Sequence, residues 1–181
     1  NDQRKVIYER RSEVMSATDI SENVKAMRGD AVASVFHVHI PAQSMEEQWD
    51  VVGLEDALER EFNQRLPVKQ WLETEPSLHE ETLRQRIQEA LEKTYADKEQ
   101  GAGAEVMRHF EKAVMLQVLD SHWKDHLAAM DYLRQGIHLR GYAQKNPKQE
   151  YKKEAFELFT EMLERIKSEL IGIICKVQIR A

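Results

Sequence analysis

MRHFEKAVMLQVLDSHWKDHLAAMDYLRQGIHLRGYAQKNPKQEYKKEAFELF, residues 107–159 of a 181-residue chain, decides the fold. In its first part Leu116, Leu119, Trp123, Leu127, Met130, Leu133 and Ile137 recur every three or four residues. Beyond its turn Ala155, Phe159, Met162, Ile166, Leu170, Ile173 and Val177 do the same. That spacing lays each set along one face of a helix. Between the stripes, Gly141 suits the left-handed position just past a helix end. Asn146 can cap a new helix, with Pro147 at its first position and Gln149 at its third. Two long helices joined by a short loop make an antiparallel hairpin whose tip is residues 142–145. At about 1.5 Å per residue, each arm is expected to reach roughly 45 to 55 Å.

Moving outward, Gly101, Ala102 and Gly103 break the pattern and form the best domain boundary in the sequence. Residues 1–16 carry Val6, Ile7, Val14 and Met15 among charges, as one end of an amphipathic helix does. Asp19 and Ser21 offer N-caps for a second helix through Val24, Met27, Ala31, Val35 and Val38, ended by Pro41. His37 to Ile40 has some strand character but no alternating partner segment. Residues 44–76 are punctuated by Gly53, Pro67 and Pro76 and read as short helices, opened by a capping box at Ser44 and Glu47. Trp49, Leu54, Leu58, Phe62, Leu66, Trp71 and Leu72 are their expected core. A second box at Ser77 and Glu80 opens a longer helix through Leu83, Ile87, Leu91 and Tyr95. With only 7 Gly and 4 Pro and abundant helix formers, the chain reads as all-α.

Charge is divided along the chain. The net charge is −6 overall, but residues 44–99 sum to −8 and residues 134–153 to +5. Such asymmetry bears on partners, not on fold. Cys175 is the only cysteine, which rules out an internal disulfide and fits a reducing compartment such as the cytosol. No apolar run approaches the roughly 20 residues of a membrane span. The start shows no secretory signal, and with charged helix formers and no initiator methionine, an excised piece of a longer chain is expected.

Candidate chemistry is sparse. His122 and His126 have the i, i+4 spacing of a zinc pair, but Trp123 stands where a metalloprotease has its general base and no third ligand is evident. A surface or satisfied histidine pair is the expectation. His37 and His39 differ by two and point apart on a helix. No phosphate-cradling glycine loop occurs, and Cys175 sits in an apolar stretch that suits an inert buried thiol. No catalytic, cofactor-binding or metal-binding residue is therefore assigned. The tip differs from this pattern: Arg140, Tyr142, Lys145, Lys148, Tyr151, Lys152 and Lys153 gather basic and aromatic side chains about one turn. It reads either as a solvated turn or as a contact surface. Tyrosine offers rigid apolar area and a hydroxyl to many different chains. The basic neighbours could equally meet phosphate, acidic lipid or an acidic protein loop.

The run at 107–159 closely resembles the two-helix finger of the SecA family of preprotein-export motors, and NDQRKVIYERR and LHEETLRQRI upstream resemble its scaffold and helical wing. The resemblance covers essentially the whole chain. It implies the end of a long scaffold helix at 1–20, a helical wing at 21–103 and the finger at 104–181, with its tip about 141–146. It further implies ATP-driven preprotein export through the SecYEG channel at the inner face of the bacterial plasma membrane. On that resemblance Tyr142 touches the translocating chain, with Arg140, Lys145 and Lys148 beside it, and the hairpin helps restrain the ATPase. Implied partners are unfolded preprotein, SecYEG, the remaining domains, an anionic membrane surface and a possible second copy, with no specific nucleic acid. ATP and magnesium belong to the intact family member, whose nucleotide-binding domains and cysteine-rich zinc tail have no counterpart in these residues. The alternative is a non-catalytic helical interaction adapter.

Overall fold

The computed structural model describes residues 1–140 and 146–177, and of 138–140 the backbone only. Among the described residues there are seven α-helices and no strand, so the all-α expectation holds. They are α1 (Asp2–Ser16), α2 (Ser21–His39), α3 (Val51–Phe62), α4 (Val68–Thr74), α5 (Glu80–Ala102), α6 (Ala104–Arg140) and α7 (Pro147–Lys176). They group into two compact units. Unit 1 contains Asn1–Thr18 with Lys112–Leu170, and unit 2 contains Asp19–Glu111 with the chain from Ile171 onward. Both α6 and α7 therefore contribute to each unit.

In unit 1, α1 runs beside α6. Ile7 and Val14, seven residues apart on one face, are buried, while Val6 and Met15 are exposed. Polar ties mark the course of α1: Arg11 Nε donates to Asp120 at 3.0 Å, and Lys112 Nζ donates to the carbonyls of Met15 (3.3 Å) and Ala17 (2.5 Å). Rising numbers on α1 meet falling numbers on α6, so the two are antiparallel.

In unit 2, α2 packs on α3 and α5, and α3 on α4. The buried face of α2 is Val24, Arg28, Ala31, Val32 and Phe36. This is rotated from the predicted stripe, because bulky Phe36 occupies the interior and Val38 stays 75% exposed. Leu54, Leu58, Phe62 and Leu66 are core as expected, whereas Trp49, Trp71 and Leu72 are half-buried. Leu83, Ile87 and Leu91 supply the face of α5.

Three predicted caps shift. The residue capping α2 is Ile20, and the Asp19 carboxylate instead accepts from the Ser21 N–H at 2.7 Å. At the first proposed box, Ser44 Oγ accepts from Trp49 Nε1 (3.1 Å), while the Gln48 side chain takes the Met45 N–H (3.2 Å). At the second, His79 is the cap of α5 and Thr82 Oγ1 accepts its N–H at 2.9 Å. Asp50 caps α3 by accepting from Gly53 N at 3.0 Å, and a Cβ on Gly53 would lie 2.1 Å from that carboxylate. A side chain there would require the Asp50 carboxylate to move.

The α5–α6 corner is one residue, Gly103, at φ +97°, where a side chain would be strained. Charged groups fill its inside. Arg108 donates to Glu111 through Nε (2.7 Å) and Nη2 (3.2 Å) and also pairs with Glu99 at 2.5 Å. The Tyr95 hydroxyl donates to Glu111 at 2.5 Å, and the Arg28 guanidinium lies 4.4 Å over the Tyr95 ring. Glu111 is fully buried and Arg28 nearly so. Burial, and then the Glu111 carboxylate, push the Tyr95 hydroxyl above its usual range.

Candidate functional site

The seam of α6 and α7 in unit 1 positions the candidate site. Leu133 and Ile137 of α6 and Ala155 of α7 form a buried cluster, with Met130, Tyr151 and Leu158 packed against it. Farther from the bend His126 faces Phe159, and farther still His122 Nε2 meets the Glu169 carboxylate. Residue numbers climb on one helix as they fall on the other, so the described parts of the hairpin are antiparallel, as the paired stripes predict.

The start of α7 forms as its sequence requires. Asn146 Oδ1 accepts from the N–H groups of Lys148 (3.1 Å) and Gln149 (3.4 Å), and Pro147 fills the first position, where no N–H is needed. Lys148 is exposed, as are Lys152 and Lys153. Tyr151, grouped by sequence with the tip, is partly buried on the hairpin cluster. Arg140 ends α6, but its side chain lies outside the described residues, as do Gly141, Tyr142 and Lys145 altogether. Of the four expected contact residues, Lys148 alone has a described side chain.

The histidine pair is satisfied within the protein. Besides the His122 contact with Glu169, His126 Nε2 lies 2.8 Å from Gln3 Oε1 of α1. The same Gln3 amide donates Nε2 to the Ala155 carbonyl of α7 at 3.0 Å. Trp123 stacks on the His126 ring at 5.5 Å, and Phe159 tilts against it at 5.7 Å. Burial pushes the His126 pKa down, and the charge of Arg165 adds to that. Leu127 belongs to the predicted stripe, yet it is 39% exposed and His126 only 2%. No local signal links Gln3 to residues 123 and 152 positions away; only the buried side of α6 could have suggested it.

His37 and His39 also take separate partners: Arg84 Nη1 donates to His37 Nε2 at 3.1 Å, and His39 Nδ1 lies 3.3 Å from Asp50. Cys175 is partly buried, and that burial raises its thiol pKa against the pull of Arg28, Lys98 and Lys176. Its carbonyl accepts from Lys98 Nζ at 2.5 Å, a cation at the end of α7. Among the described residues no three His, Cys, Asp or Glu side chains could hold a metal ion, and no helix is long and apolar enough to cross a membrane.

The family described as the SecA wing and scaffold domain matches residues 1–178. This chain belongs to that SecA family. The SecA match takes in all seven helices. The chain is 58% identical over its full length to the protein translocase subunit SecA of Methylococcus capsulatus, 59% identical over 99% of its length to that of Nitrosococcus oceani, and 57% identical over its full length to the protein translocase subunit SecA 1 of Nitrosospira multiformis. It spans 20% of the length of each of these SecA relatives.

Proposed function

We propose that the α6–α7 hairpin is a mechanical and regulatory lever of the ATP-driven SecA export motor, meeting the translocating polypeptide at its bend. The observation that carries this reading is the seam itself. Leu133, Ile137 and Ala155 keep the two helices packed on the approach to the bend, and the Asn146 cap re-forms regular helix directly after it. A paired rod of this kind passes displacement along its length instead of bending.

In this reading residues 1–20 end a long scaffold helix, 21–103 are the helical wing and 104–181 carry the finger. Tyr142 contacts unfolded preprotein at the SecYEG channel, with Arg140, Lys145 and Lys148 beside it. The hairpin also restrains ATP hydrolysis, which uses ATP and magnesium in parts of the motor outside these residues. The whole motor works at the cytoplasmic face of the plasma membrane, against an anionic lipid surface, as a monomer or with a second copy.

The test uses the intact protein with Tyr142→Gly or Tyr142→Ser, scoring preprotein transport and ATP turnover separately. Transport is expected to drop while ATP turnover persists, and unchanged transport would refute the tip's role. Cross-linking from position 142 should capture preprotein only during transport; capture at all times would favour a plain docking adapter.

A further inference from the structure

A lever needs a joint that sets its register, and α1, α6 and α7 meet at one. Gln3 uses both ends of a single amide on two different helices, its oxygen on His126 of α6 and its nitrogen on the Ala155 carbonyl of α7. Two carbonyl oxygens cannot bond one another, so the amide oxygen faces the imidazole, and His126 carries its proton on Nε2. The ring is only 2% exposed and is held between Trp123 and Phe159. The buried apolar residues of α1, Ile7 and Val14, lie two turns apart, so a two-turn slip of α1, about 10.8 Å, would trade one such contact for the other. The same slip breaks both Gln3 bonds at once. The other ties of α1, Arg11 to Asp120 and Lys112 to the Met15 and Ala17 carbonyls, lie toward its far end.

We propose that Gln3 and His126 are positioning residues that lock α1 in register with the α6–α7 hairpin, so that displacement of α1 reaches the bend instead of being lost as slip. This rests on the lever reading above.

The decisive variant is the double replacement Gln3→Leu with His126→Leu in the intact protein, because removing both partners of a buried hydrogen bond leaves no stranded polar group. Helix content, melting, ATP turnover and preprotein moved per ATP hydrolysed are measured together. Melting and turnover are expected to stay near the parent values while transport per ATP falls at least about fivefold, the lower end of typical coupling between sites. His126→Gln, which keeps an N–H for the Gln3 oxygen, should hold the ratio within about twofold of the parent on the same scale. An unchanged ratio in the double variant overturns the proposal, as does a fall equally deep in His126→Gln. Should the leucine pair fail to fold, Gln3→Glu keeps the acceptor and loses the donation to Ala155: a reduced ratio supports the clasp and an unchanged one overturns it. Tyr142→Gly run in parallel separates the two ideas. Transport lost at Tyr142 but unaltered at Gln3 sinks only the clasp, whereas transport unaltered at Tyr142 sinks the lever.

Discussion

In unit 2 the junction of α2, α5 and the start of α6 is filled with full charges: Arg108 held by Glu99 and Glu111, and Arg28 laid over Tyr95. In unit 1 the junction of α1, α6 and α7 is closed by neutral groups, an amide, a backbone carbonyl and an imidazole that two aromatic rings flank. A buried ion pair tolerates the loss of one member poorly, since the survivor is left charged in a poor solvent. Losing one partner of a neutral clasp strands no charge and costs less. The charged corner therefore suits a joint that holds one angle, and the neutral clasp suits one that is loaded.

The harshest way to break that contrast is Glu111→Leu. It leaves Arg108 with Glu99 alone and strands the Tyr95 hydroxyl, and the expected cost is about 3 kcal/mol in urea unfolding of the chain. A cost near zero would mean that the corner is no more brittle than the clasp.

Acid titration sharpens the other side. His126 has a pKa lowered by burial, so the unfolded chain takes up its proton first as pH falls. Its contribution is complete above the ordinary histidine value of 6.5 and is lost as pH drops below that toward the depressed native value. Stability of the parent should therefore decline through this interval more steeply than that of His126→Gln. Parallel declines would show that the ring is not held neutral by its surroundings.

Asn146→Ala removes two capping bonds from the first turn of α7 and is expected to cost about 1 kcal/mol, read as faster amide exchange at Lys148 and Gln149. Smallest should be Arg11→Ala. Its partner Asp120 is half exposed, and such pairs contribute about 0.5 kcal/mol, screened further by salt.

What could be read in advance follows the range of the interactions involved. Asn146 with Pro147 was legible because a helix start is settled within four residues, and the two stripes were legible because periodicity is local. The boxes at Ser44 and Ser77 failed for a related reason: several nearby side chains can satisfy the same N–H, and Gln48 and Thr82 do so here while Ser44 accepts from Trp49. The satisfied state of His126 was expected, but its burial and that of Glu111 were missed, because a stripe of apolar letters cannot show a buried polar residue. Their partners arrive from elsewhere, Gln3 for His126 and Tyr95 across the Gly103 corner for Glu111. The basic side chains at the tip were visible as composition; what they touch depends on other molecules, which no periodicity encodes.

Lys98, bonded to the carbonyl of Cys175, has a consequence for how this chain is made. Unit 2 is interrupted by Lys112–Leu170 and completed only by residues from Ile171 onward, whose Gly172 lies against the Glu61 carbonyl. On a ribosome delivering the chain from its amino end, the early helices must therefore wait, incompletely buried, until α7 has emerged. Neither unit can close before the other's segments exist, so a chaperone present during synthesis should raise the yield of this protein more than that of one whose units follow each other in sequence.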